Sequence, residues 1–140
     1  MRSSGIHKIA FIGNYIPRQC GIATFSHDLR TAIAEQHPSC TCMVVPMDDI
    51  EGGYQYPDEV RFQVAANDRD AYSRAADLLN FSNVDVVSLQ HEFGIFGGPA
   101  GSNILTLLRD LRMPVVTTLH TVLREPSSEQ LRVMKQIAGL

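Results

Sequence analysis

Short apolar runs alternate along this chain with longer segments of helical periodicity, and that alternation constrains the fold more than any single motif. Residues 7–12 (HKIAFI), 41–47 (TCMVVPM), 60–64 (VRFQV), 85–90 (DVVSLQ) and 114–119 (PVVTTL) have the length and branched content of strands. Residues 20–36 place Ile22, Phe25, Leu29 and Ile33 at three- and four-residue spacing, which predicts an amphipathic helix. Residues 68–80 open on Asp68 as an N-cap and set Ala71, Ala75, Leu78 and Leu79 on one side, and residues 100–112 turn Ile104, Leu107, Leu108 and Leu111 inward. A last helix, capped by Ser127 or Ser128, carries Leu131, Met134 and Ile137. Parallel strands need crossovers, and right-handed crossovers put helices outside the sheet. The expected fold is therefore α/β, a doubly wound, Rossmann-like parallel sheet with helices on both faces.

The chain has 140 residues, enough for one domain with a real core. Its net charge of −3 comes from interspersed charges, which leaves no basic face to neutralise a phosphate backbone, so nucleic acid is not an expected partner. The apolar runs, of about six residues, fall far short of the roughly 20 that span a bilayer. Residues 1–8 (MRSSGIHK) make a polar lead without an apolar signal core, so a cytoplasmic protein is expected. Cys20, Cys40 and Cys42 form neither a CxxC pair nor a zinc spacing with histidine; reduced, buried thiols and no metal are expected.

In doubly wound sheets, ligands sit beyond the carboxyl ends of the strands. That rule selects the loops at residues 13–20, 91–99 and 120–126. The first has neither GxGxxG nor a P-loop, because Gly13 and Gly21 stand too far apart. What remains is a helix start at residues 20–24, whose free amides favour an anion, although Gly21 equally serves a tight turn. The second loop, QHEFGIFGGPAG, carries His91, Glu92, Gly94, Gly97, Gly98 and Gly101, polar groups beside glycines that suit a substrate face. The plainer alternative is a half-buried His91 and a solvated Glu92; Ile95 stands where HExxH would need its second histidine, which disfavours zinc hydrolysis. The third loop begins at His120 and Thr121, and an imidazole there can donate to a sugar hydroxyl or a phosphate, or simply close the strand end. Asp48 and Asp49 lack the partners that a ribose or metal site would need, so a solvated loop is expected for them. No G-x-S-x-G elbow is present.

Together, PRQCGIATFSHDL, QHEFGIFGG and TLHT resemble the N-terminal domain of the group 1 retaining glycosyltransferases, enzymes with two Rossmann-like domains in the GT-B fold. The likeness covers nearly the whole chain, with one departure: Cys20 stands where many members have the first glycine of a pair. The resemblance implies that Gly21, with Ile22 and Ala23, lies against the diphosphate of a nucleotide-sugar donor. It implies that His120 is catalytic and faces the transferred sugar, and that His91, Glu92, Gly94, Gly97, Gly98 and Thr121 line the acceptor side. It calls for no metal or other cofactor; the nucleotide-sugar is a substrate, and the acceptor is a carbohydrate or a lipid. It further implies a C-terminal donor-binding domain beyond these 140 residues. Residues 1–140 would then be an incomplete acceptor-side domain, inactive alone and prone to self-association through an exposed edge. The competing expectation is a stand-alone α/β domain that binds an anion or a protein without catalysis.

Overall fold

Three of the strands are largely buried runs rich in Ile, Val, Phe and Met that pair in parallel with their neighbours, which is why they read as nearly continuous apolar segments. The computed structural model describes residues 5–140; the first four residues of the polar lead expected at residues 1–8 lie outside them. In chain order the elements are β1 (Lys8–Gly13), α1 (Gly21–Gln36), β2 (Thr41–Asp48), β3 (Val64–Ala65), α2 (Arg69–Phe81), β4 (Val86–His91), a 3-10 turn (Pro99–Gly101), α3 (Ile104–Asp110), β5 (Val115–Leu119) and α4 (Ser128–Ala138). All five strands are parallel in the order β3-β2-β1-β4-β5, a Rossmann-like topology with helices on both faces.

The two faces are unequal. Ala10, Ile12, Met43, Val45, Val87 and Leu89 form the main core with residues of α2, α3 and α4. The opposite face has α1 alone, packed by Leu29, Ile33 and Ala34 over Phe11, Cys42 and Val44. One helix cannot cover five strands, so the β4–β5 half of that face is bare and Val116 is 61% exposed. The same imbalance explains α1: Ala23 and Ser26 are its buried residues, while Phe25, expected inward, is 44% exposed.

Two expected elements are shorter than their patterns suggest. Of residues 60–64, Val60 makes a single bridge to Val44 and Phe62 packs on the core, and the ladder resumes only at Val64. The helix expected from residue 100 begins at Ile104, because Gly98, Ala100 and Gly101 all take left-handed backbone angles that no helix interior accommodates. The caps follow the sequence more closely. Asp68 accepts from the Asp70 amide, and Ser127 forms a reciprocal capping box with Gln130.

The long loop after β2 is tied down rather than loose. Buried Tyr15 donates to Glu59 at 2.7 Å, and Arg30 reaches both Glu59 and the Cys42 carbonyl. Burial alone would raise the Glu59 carboxyl, but the Tyr15 bond, a backbone amide and Arg30 outweigh it and hold the group below its ordinary value. Burial pushes the Cys42 thiol up to about 11, so it stays protonated within the core.

Candidate functional site

The strand order reverses direction between β1 and β4, and the carboxyl ends of those strands open into a cleft of about 460 Å³. Gly13 permits the junction: it has φ +154°, and a Cβ there would come within 2.9 Å of the Gln90 Cβ. Three segments far apart in sequence supply the walls. The β1–α1 turn gives Asn14, Arg18, Cys20, Gly21 and Ile22; the loop after β4 gives Glu92, Gly94 and Ile95; the end of β5 gives His120 and Thr121.

Cys20 is the N-cap of α1, in extended backbone conformation, and its Sγ accepts from the Ala23 amide at 3.3 Å and from Asn14 Nδ2 at 3.5 Å. A thiol thus fills the place usually taken by a Ser or Asp side chain. The consequence is specific: the Ala23 amide is engaged, and the residue is fully buried. The Gly21 and Ile22 amides have no acceptor among the described residues. A Cβ at Gly21 would meet nothing within 4 Å, so packing does not require glycine there and the space in front of the turn is open.

Arg18 was not singled out from the sequence, yet it is the one strongly basic group in the cleft wall. Its guanidinium donates to Asn14 Oδ1 at 2.9 Å and to the Met47 carbonyl at 3.3 Å, and pairs with Asp49 at 3.3 Å. These contacts fix a charge beside the α1 N-terminus. A lone arginine inside a strand-to-helix turn at a sheet's carboxyl end was the available signal.

His120 is held by two neighbours. Its Nε2 lies 2.8 Å from Gln90 Oε1, and the Gln90 amide donates to Ser88 Oγ at 3.1 Å. Since that amide is already the donor, Gln90 Oε1 must accept, so a neutral His120 carries its proton on Nε2 and keeps Nδ1 as an acceptor. Phe25 meets the ring edge-on at 4.9 Å, which explains why a half-exposed phenylalanine sits on α1. Glu92 accepts from the Gly94 amide at 2.6 Å, a short turn that keeps its carboxylate at the rim.

The remaining expected site residues lie elsewhere. His91 is fully buried outside the cleft wall, stacked on Phe96 and met edge-on by Phe93. Neither ring nitrogen has a hydrogen-bond partner among the described residues. Burial pushes this imidazole below its ordinary value, with His120 adding to the effect and Glu92 opposing it. Gly97 is buried and donates to the Ala66 carbonyl and the Tyr72 hydroxyl, and Gly98 takes φ +81° before the 3-10 turn. Both shape the loop instead of lining the cleft.

Asp48 also departs from the solvated loop expected of it. It is buried at the end of β2, accepts from the Tyr56 hydroxyl, and is raised above its ordinary value chiefly by burial, against the Tyr56 bond. In a dinucleotide-binding domain, an acid near this point holds a ribose; here Tyr56 already occupies it. Asp49 is exposed and held below its ordinary value by Tyr54 first and also by Arg18. Among the described residues, no group of three or more His, Cys, Asp or Glu side chains could hold a metal ion, and no helix is long and apolar enough to cross a membrane.

No protein-family model and no curated protein matches the chain. Among solved structures, it is similar to S. aureus homoserine dehydrogenase, in crystal structures obtained at pH 7.0 and at pH 6.5. In each case the match covers 95% of this chain and 30% of that chain, at 14% sequence identity and a TM-score of 0.43. The chain therefore spans less than a third of the length of the enzyme chains it matches.

Proposed function

We propose that this chain is the acceptor-side, Rossmann-like half of a retaining glycosyltransferase, which moves a sugar from a nucleotide-sugar donor to an acceptor hydroxyl. One observation carries the reading: parts of the three segments that resemble the group 1 family meet at a single cleft. Gly21 and Ile22 come from the first, Glu92 and Gly94 from the second, and His120 and Thr121 from the third.

On this reading, charge developing on the departing diphosphate is met by the Gly21 and Ile22 amides, the α1 dipole and Arg18, fixed donors that need little reorganisation during reaction. His120, oriented by Gln90, faces the transferred sugar and presents Nδ1 as an acceptor. Glu92, Gly94 and Thr121 bound the acceptor side. Donor recognition then falls largely to a partner domain outside these 140 residues, and turnover requires both.

The test is calorimetric titration of the chain with UDP, GDP, ADP and their sugar conjugates, beside turnover assays on the longest product of the same reading frame. Binding of a nucleoside diphosphate that weakens about tenfold in Arg18→Gln, a loss of the size expected for a charged hydrogen bond, supports the site. If no nucleotide or nucleotide-sugar binds either protein, the reading fails. If the chain binds anions but no product turns over any donor, a stand-alone anion-binding domain replaces it.

A further inference from the structure

Beside the polar cleft, the same edge of the sheet carries a second, apolar groove of about 140 Å³. Phe93, Leu119, Val122, Leu123, Leu131 and Met134 line it, and no charged side chain does. Thr121 belongs to both walls, so cleft and groove adjoin at that residue. The division within α4 is informative. Val133 and Ile137 enter the core, while Leu131, expected inward from its spacing, stays 42% exposed on the groove with Val122 at 80%. The helix docks without these groups, so they are apolar surface left open beside the cleft.

We infer that the acceptor served by this cleft is amphipathic: a hydroxyl-bearing head lies in the polar cleft, and an alkyl arm crosses Thr121 into the groove. This rests on the acceptor-side reading above and adds the substrate class to it. On the acceptor side the polar cleft offers the Glu92 carboxylate and the Thr121 hydroxyl as partners for the head. The groove walls are almost entirely apolar, so a second sugar unit there would leave most of its hydroxyls unpaired, a desolvation cost without return. The groove is also small, with room for about four or five water-sized groups. That suits a segment of alkyl chain, whereas a stable contact with a second copy of the chain needs roughly 800 Å² from each partner.

The probes are methyl β-D-glucopyranoside and n-octyl β-D-glucopyranoside, the latter below its critical micelle concentration, titrated into the chain and into a Leu131→Gln/Met134→Gln variant. At about fourfold in affinity per buried methylene, burial of about three methylenes makes the octyl compound on the order of 50-fold tighter. The double variant should reduce that ratio to a few-fold. Val122→Asp, at an exposed position that the fold does not need, should do the same if the double variant fails to fold. A ratio near one in the unaltered chain, or a ratio unchanged in a folded variant, overturns the inference. Retained nucleotide binding in that case leaves the glycosyltransferase reading standing, while loss of all nucleotide and glycoside binding ends both. Concentration-dependent dimers abolished by Val122→Asp, without chain-length dependence, would assign the groove to a second copy and likewise overturn it.

Discussion

Replacing His91 by leucine should make this protein more stable, and increasingly so as the pH falls. The imidazole is fully buried between Phe93 and Phe96, with both nitrogens unpartnered among the described residues. A neutral ring has one donor and one acceptor, and leaving a buried polar group unmet costs about 1–3 kcal/mol. Leucine has similar bulk and no polar atoms, and imperfect shape usually costs less than about 1.5 kcal/mol. The net expectation at pH 7.5 is a gain of about 1–2 kcal/mol, or roughly 3–4 °C per kcal/mol for a chain of this size. Burial holds the folded-state pKa below the ordinary 6.5, so the unfolded chain takes up the proton first as the pH falls. The unaltered protein therefore loses stability from about pH 6.5 down toward the folded pKa, with a slope of up to about 1.4 kcal/mol per pH unit. The variant lacks that contribution, so its advantage should widen by up to about 1.4 kcal/mol between pH 7.5 and 5.5. Asp48, whose raised carboxyl pKa acts in the opposite direction, cancels in the comparison because both proteins keep it. Urea melts of both at pH 7.5, 6.5 and 5.5, with m-values checked for constancy, measure this. A variant less stable at pH 7.5, or two parallel pH profiles, would refute the reasoning.

Gly97→Ala should cost about 3 kcal/mol or more, because a Cβ there falls 2.1 Å from the Ala66 carbonyl oxygen and backbone cannot yield as a side chain can; thermal melts will show it. Gly21→Ala should change the melting temperature little, since its Cβ enters open space, but should weaken nucleoside diphosphate binding in titrations of the folded variant. Ser127→Ala removes one half of the α4 capping box and should lower stability by about 1 kcal/mol in urea. In the longest product of the reading frame, His120→Ala should reduce turnover far more than donor affinity; equal rates would remove His120 from the site.

Four strands, four helices and the α/β class were legible in the residues, because apolar periodicity is a local property that burial then enforces, while the strand expected over residues 60–64 meets the observed β3 only at Val64. Asp68 and the Ser127–Gln130 pair were readable as caps for the same reason: capping is settled within a single turn of chain. The rule placing ligands beyond the carboxyl ends of the strands selected the three loops that do form the cleft wall. Their assignment residue by residue was less legible. In the sequence, His91 and His120 each stand at the end of an apolar run, and nothing local distinguishes them. Lateral pairing puts Leu119 beside His91 and leaves His120 at the rim, and the faces on which their rings lie decide that one is sealed under Phe93 and Phe96 while the other rests on Gln90 and Phe25.

Arg18 and Asp48 make the same point with charge. From sequence, both belong to polar loops; in the fold, Arg18 is fixed by Asn14, Met47 and Asp49, and Asp48 is closed off by Tyr56. The amino-acid sequence by itself determined which segments become strands and helices and where three of the four helices begin, since those choices depend on neighbours within a few residues. Only the tertiary structure decided which polar side chains face one another across the cleft, that β4–β5 is left bare on one side, and that an apolar groove adjoins the polar site. The physical reason is that these properties arise from contacts between residues tens of positions apart, brought together by the parallel crossover order of the sheet.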